Sequence, residues 1–126
     1  MRDSFLIEQV TPANGISTSL LRELLENWCE KELLWVLREQ ANTSYLWEQV
    51  SRDLHRNLCT LWAKGFLQGA TTKEGFYVKC DQTTMTREEI DNGQLISEVG
   101  VATAEPGKFV VFRIRFQLRG RRQVKV

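Results

Sequence analysis

Hydrophobic positions along the chain change period twice, and each change marks an element. Phe5-Leu-Ile-Glu-Gln-Val10 sits in a short, apolar, β-prone stretch (residues 4–10), followed by Pro12 and Asn14-Gly15, which predict a turn or linker. From about Thr18 to Lys31, Leu21, Leu24, Leu25 and Trp28 recur at three- and four-residue spacing with Arg22, Glu23, Glu26 and Asn27 opposite, an amphipathic helix. Leu33–Leu37 reads as a buried strand and Ala41–Ser44 as a polar loop. A second helix is predicted from about Tyr45 to Lys64 through Trp47, Val50, Leu54, Leu58, Leu61 and Trp62, with Gly65 as its stop.

The second half carries period-two signals. Phe76, Val78 and Cys80 alternate with Tyr77 and Lys79, while Leu95, Val99 and Val101 share one face of a later strand. Between them, Thr86-Arg-Glu-Glu89 has the spacing of a capping box, and Asn92-Gly93 closes the short helix that follows. Glu105-Pro-Gly107 predicts a turn. In the final strand, Phe109–Leu118, residues Phe112, Ile114, Phe116 and Leu118 face one way and Arg113, Arg115 and Gln117 the other. Both helical stripes need an apolar partner, which the sheet supplies. The expected fold class is therefore α+β: two main helices and one short helix on a small mixed or antiparallel sheet of about four strands, with strand-forming terminal arms. A terminal strand lacking a hairpin partner must pair with something distant, in its own chain or in a neighbour.

At 126 residues the chain fits one domain. Its 42% hydrophobic and 26% charged residues are a globular balance, with no internal repeat or low-complexity segment. No apolar run approaches the length of a membrane span, and the first residues lack signal-peptide character, so a cytosolic site of synthesis is expected. Six of the 17 basic residues (Arg113, Arg115, Arg119, Arg121, Arg122 and Lys125) lie in the last fourteen positions, which hold no acidic residue. That leaves 11 basic against 16 acidic residues in the first 112, a net charge of −5. An acidic body with a basic tail suits head-to-tail contact between copies or an acidic partner.

Candidate chemistry is sparse. His55 is the sole histidine and falls within a helical pattern next to Leu54, the place of a helix-surface residue rather than a general base. Cys29, Cys59 and Cys80 form no C-x-x-C pair and read as reduced, partly buried thiols, not a zinc site or disulfide framework. Gly65-x-x-x-Gly69 lacks the Lys of a phosphate loop, and Glu88, Glu89 and Asp91 lack the glycine pattern of a calcium loop. The expectation is a non-enzymatic protein with no cofactor and no metal. Arg119-Gly-Arg-Arg122 suits phosphate contacts, but the net-acidic body would repel a polyanion, which weighs against a nucleic-acid binder.

Gly75-Phe-Tyr-Val-Lys-Cys-Asp81, Thr84-Met-Thr86, Ile90-Asp-Asn-Gly93, Val99-Gly-Val-Ala102 and Phe109-Val-Val-Phe-Arg-Ile114 stand in an order and at distances that resemble the C-terminal domain of phage tail sheath proteins. Gly69-Ala70 and Leu46-Trp47 fit the same pattern, so the likeness spans roughly residues 18–118. Phe5-Leu-Ile-Glu-Gln-Val10 with Gly15-Ile-Ser-Thr-Ser19 is similar to the N-terminal arm of a sheath subunit. In ordinary sheath proteins, outward-facing domains separate these two regions; here they are nearly contiguous. The resemblance implies a division into an arm (residues 1–17), an inner domain (18–118) and a basic arm (119–126). It also implies a structural subunit of a contractile tail or injection apparatus, made in the bacterial cytoplasm and ending in the tail. Its partners would be copies of itself or other sheath subunits, an inner tube protein and baseplate or cap proteins, with no membrane partner. Sheath arms add strands to neighbouring sheets. Phe5, Leu6, Ile7 and Glu8 are thus the expected donated strand, and Arg113, Arg115, Gln117, Arg119, Arg121 and Arg122 the residues on or beyond an accepting final strand with an open edge. A cap, adaptor or baseplate-proximal initiator that binds a sheath end is the alternative.

Overall fold

A computed structural model describes residues 5–11, 16–33 and 41–118. The chain is α+β, as its pattern predicts. Strand β1 (Phe5–Gln9) is followed by helix α1 (Ile16–Trp28), which continues into a π-helical turn at Cys29–Leu33. Helix α2 (Ser44–Ala63) and a single helical turn α3 (Thr72–Gly75) lead into β2 (Phe76–Lys79). The short helix α4 (Arg87–Asp91), β3 (Gln94–Val101) and β4 (Val110–Gln117) complete the order.

The sheet runs β1-β4-β3-β2, and every pairing is antiparallel. β4 is therefore an interior strand, a correction to the expected open edge: its own β1 lies on one side and β3 on the other. The register puts Phe5 opposite Phe116 and Ile7 opposite Ile114, so the apolar faces of β1 and β4 coincide. β4 shows the alternation its sequence predicts, with Phe112, Ile114 and Phe116 fully buried and the intervening residues more exposed.

Both long helices contribute to the same core as the apolar sheet face. In α2, Leu46, Trp47, Val50, Leu54, Leu58 and Leu61 are buried at three- and four-residue intervals. Its ends follow local rules. The Thr43 hydroxyl accepts from the Leu46 amide, while Gly65 N–H donates to Trp62 O and Phe66 N–H to Leu61 O, a Schellman closure. That closure needs a left-handed residue, and Gly65 has φ of 87°.

The first helical region departs from expectation at its end. Leu21, Leu25, Cys29 and Leu33, spaced by four, are all buried. In a pure α-helix each four-residue step over-rotates by about 40°, carrying such a row off the core. The wider π turn at Cys29–Leu33 takes up that excess and keeps the last two residues inward. Leu33, expected to begin a strand, instead closes this turn; residues 34–37 of that expected strand lie outside the described residues. The arm boundary placed after residue 17 also falls inside α1, which starts at Ile16.

Candidate functional site

Antiparallel strands expose backbone donors and acceptors at their edges, so the edges of this sheet are where another chain can pair. On the β2 side, little is available. β2 has four residues, and the Phe76 amide donates to Thr72 O of α3. β3 extends beyond β2 at Gln94–Ser97, where side chains take the place of a missing strand. Asn42 Nδ2 donates to Gln94 O at 3.0 Å, and the buried Thr84 hydroxyl donates to Ile96 O at 2.7 Å. Asn42 is held in turn by Trp47 Nε1, which donates to its Oδ1 at 2.6 Å.

The other edge is β1. Val10 N–H donates to Val111 O at 2.7 Å, so by the alternation of an antiparallel ladder Leu6, Glu8 and Val10 bond to β4 while Phe5, Ile7 and Gln9 direct their backbone groups away from it. The Ile7 carbonyl is engaged by the helical layer: Arg22 Nη2 of α1 donates to it at 2.8 Å. An open cleft of about 750 Å³ follows this strand, lined by Leu6–Val10 with Arg22, Glu98 and Arg113. Ile7 is buried, at 3% exposure, whereas Leu6 and Val10 on the opposite side are 54% and 52% exposed.

The face that carries Leu6 and Val10 also carries the charged residues of β4. Arg113 lies in register between Glu8 and Glu98, with like charges separated and opposite charges adjacent across the strands. Tyr77 O–H donates to Glu98 Oε2 at 2.6 Å, and its ring meets Phe109 edge-on at 5.2 Å. Burial, and secondarily the Glu98 hydrogen bond and charge, push the Tyr77 phenol up to about 12. Gly100 is needed beneath that ring, because a Cβ there would overlap it.

Phe5, Leu6, Ile7 and Glu8, expected as a donated strand, do form a strand, and in the single chain it lies on its own β4. Arg115 and Gln117 are engaged within the chain. Arg115 pairs with Glu89 at 3.3 Å and donates to Gln94 Oε1, and Gln117 Nε2 donates to Asn92 O. Arg119, Arg121 and Arg122 lie outside the described residues. Sequence reasoning missed Arg22, Thr11, Tyr77 and Glu98. Arg22 read as one more polar-face residue, and nothing in the linear pattern reveals that its guanidinium reaches a strand fifteen positions earlier.

His55 is exposed on α2, with its ring 5.0 Å from Phe76. Cys29 and Cys80 are buried free thiols, pushed up by burial, Cys80 to about 12. Among the described residues, no three His, Cys, Asp or Glu side chains cluster to hold a metal ion, and no helix is long and apolar enough to cross a membrane. No protein-family model matches the chain, and no curated protein does.

Proposed function

We propose that the chain is a sheath-like structural subunit that assembles by exchanging β1 between copies. The observation that carries this reading is the position of β1. It is a five-residue strand near the N-terminus, laid at the edge of the sheet against the last strand of the domain. Its departure would leave β2, β3 and β4 with the helical layer and open one long edge on β4. The same segment of another copy would reproduce the register, with Phe5 on Phe116, Ile7 on Ile114 and Glu8 on Arg113. Strand addition of this kind uses main-chain hydrogen bonds, each contributing about 1 kcal/mol net, so one exchange binds weakly and a ring or lattice gains by avidity. The β2 side, plugged by Asn42 and Thr84, favours exchange at β4 rather than growth at both edges.

In this reading the partners are copies of the chain or other sheath subunits around an inner tube protein, and the place of action is a contractile tail or injection particle. The driving free energy would come from assembly. Negative-stain electron microscopy of the purified full chain, over a range of concentration and salt, tests the proposal. Tubes or stacked rings that disappear when residues 1–10 are deleted, while the circular dichroism of a folded domain persists, are expected. Polymers of unchanged length after that deletion would overturn it.

A further inference from the structure

We propose that Arg22 and Thr11 form a clasp that holds β1 on its own β4 and sets how readily the strand is released. Beyond its ladder to β4 and the Phe5–Phe116 ring contact at 6.2 Å, little else holds β1. Among its residues only Ile7 is fully buried, and Leu6 gains little from staying in place. A segment with few buried apolar contacts opens independently of the global fold. The clasp grips it from two sides. On the side facing away from β4, the Arg22 guanidinium holds the Ile7 carbonyl at 2.8 Å, and Glu26 lies 3.5 Å from Arg22 Nε. Leu21 and Leu25, buried on the same helix, fix the backbone from which Arg22 reaches. Past the C-terminal end of the strand, the Thr11 hydroxyl accepts from the Val111 amide at 2.9 Å, capping the ladder with a side chain. Gln9 Nε2 braces that corner by donating to Thr11 O at 2.8 Å.

Arg22 thereby does two things at once. It secures the strand to the helical layer, and it occupies an outward acceptor that an additional strand would need. The chain is then stored closed, and assembly requires the clasp to be given up or rebuilt against the incoming copy. The clasp stands on the geometry alone; its role in assembly rests on the strand-exchange reading.

Amide hydrogen exchange followed by NMR separates the two. Arg22→Met keeps the aliphatic stem and removes the donor; Thr11→Val keeps the shape and removes the hydroxyl. Loss of one ordinary net hydrogen bond corresponds to about a fivefold change in an opening equilibrium. Each variant is therefore expected to speed exchange at Leu6, Glu8 and Val10 about fivefold, with the β3–β4 ladder unchanged. Exchange at β1 that stays at the wild-type rate in both variants, or rises only in step with the whole sheet, would overturn the clasp. The second readout is capture of a fluorescent peptide of residues 1–11 by the full-length variants. Capture that rises with β1 opening supports the strand-exchange reading, whereas faster opening with no capture leaves the clasp intact and removes that reading.

Discussion

Arg115 Nη1 lies 3.3 Å from Glu89 Oε2, tying the middle of β4 to α4, the short helix that precedes β3. Glu89 is also the N3 residue of the capping box. Its Oε1 accepts from the Thr86 amide at 2.8 Å while its own amide donates to the Thr86 hydroxyl. One carboxylate thus closes a helix start and pairs with the sheet, so an element of five residues is positioned by two independent constraints.

The Thr86 amide, with help from Arg115, holds the Glu89 carboxyl below its ordinary value of 4.5. A depressed folded-state value means that the folded chain binds fewer protons than the unfolded one. The stabilisation is present above 4.5 and is lost as pH falls below it through the depressed value. Glu89→Gln is expected to cost about 0.5–1.5 kcal/mol near neutrality and to flatten the acid limb of stability against pH. Urea denaturation between pH 3 and 7 checks both; an acid limb identical to wild type counts against the pairing.

Thr84 belongs to the Thr84-Met-Thr86 motif; the residue is 4% exposed, and its hydroxyl is bonded to Ile96 O. Thr84→Val keeps the shape but strands that carbonyl at the uncovered part of β3, with an expected loss of about 1–3 kcal/mol. Chemical denaturation of the variant measures it. A neutral result would mean that water or a local shift replaces the hydroxyl.

Partial burial, and then the bond to Glu98, push the Tyr77 phenol up. In a Tyr45→Phe background it is the only tyrosine left of two, so ultraviolet titration is expected to show a midpoint near 12. A raised folded-state value contributes stability that is complete below the ordinary 10 and lost as pH rises through about 12. Glu98→Gln removes the charge and should bring the midpoint down, though not fully, because burial is the larger cause.

Gly100→Ala tests the same corner sterically. The new methyl must displace the Tyr77 ring, and overpacking of this kind typically costs about 1–3 kcal/mol. A lowered thermal midpoint together with a Tyr77 titration moved toward the ordinary value is the expected pair of results. An unchanged midpoint would mean the ring moves away freely.

Much of this architecture is carried by short-range pattern. The 3.6-residue stripe of α2, the capping box at Thr86–Glu89 and the alternation of β4 are each set by residues within a few positions of one another, and the structure has all three. The four-residue row at Leu21, Leu25, Cys29 and Leu33 was present in the sequence, but its resolution into a π turn was not, because it depends on which side the core lies. The same is true of β4. Its alternation marks a strand with one buried face and says nothing of its neighbours, and its pairing with β1 joins residues more than a hundred positions apart.

The candidate site divides along the same line. The sequence by itself determined that Phe5–Val10 is strand-forming and that Arg113, Arg115 and Gln117 share a face, because side-chain direction alternates along any extended strand. Only the tertiary structure decided that β1 closes the edge of β4, that Arg115 and Gln117 are held by α4 and its C-terminal turn, and that Arg22 reaches the middle of β1 while Thr11 caps its C-terminal end. Periodicity reports which side of an element is apolar. Which backbone groups remain unpaired at an edge depends on the whole sheet, and here those groups are where the function is proposed to lie.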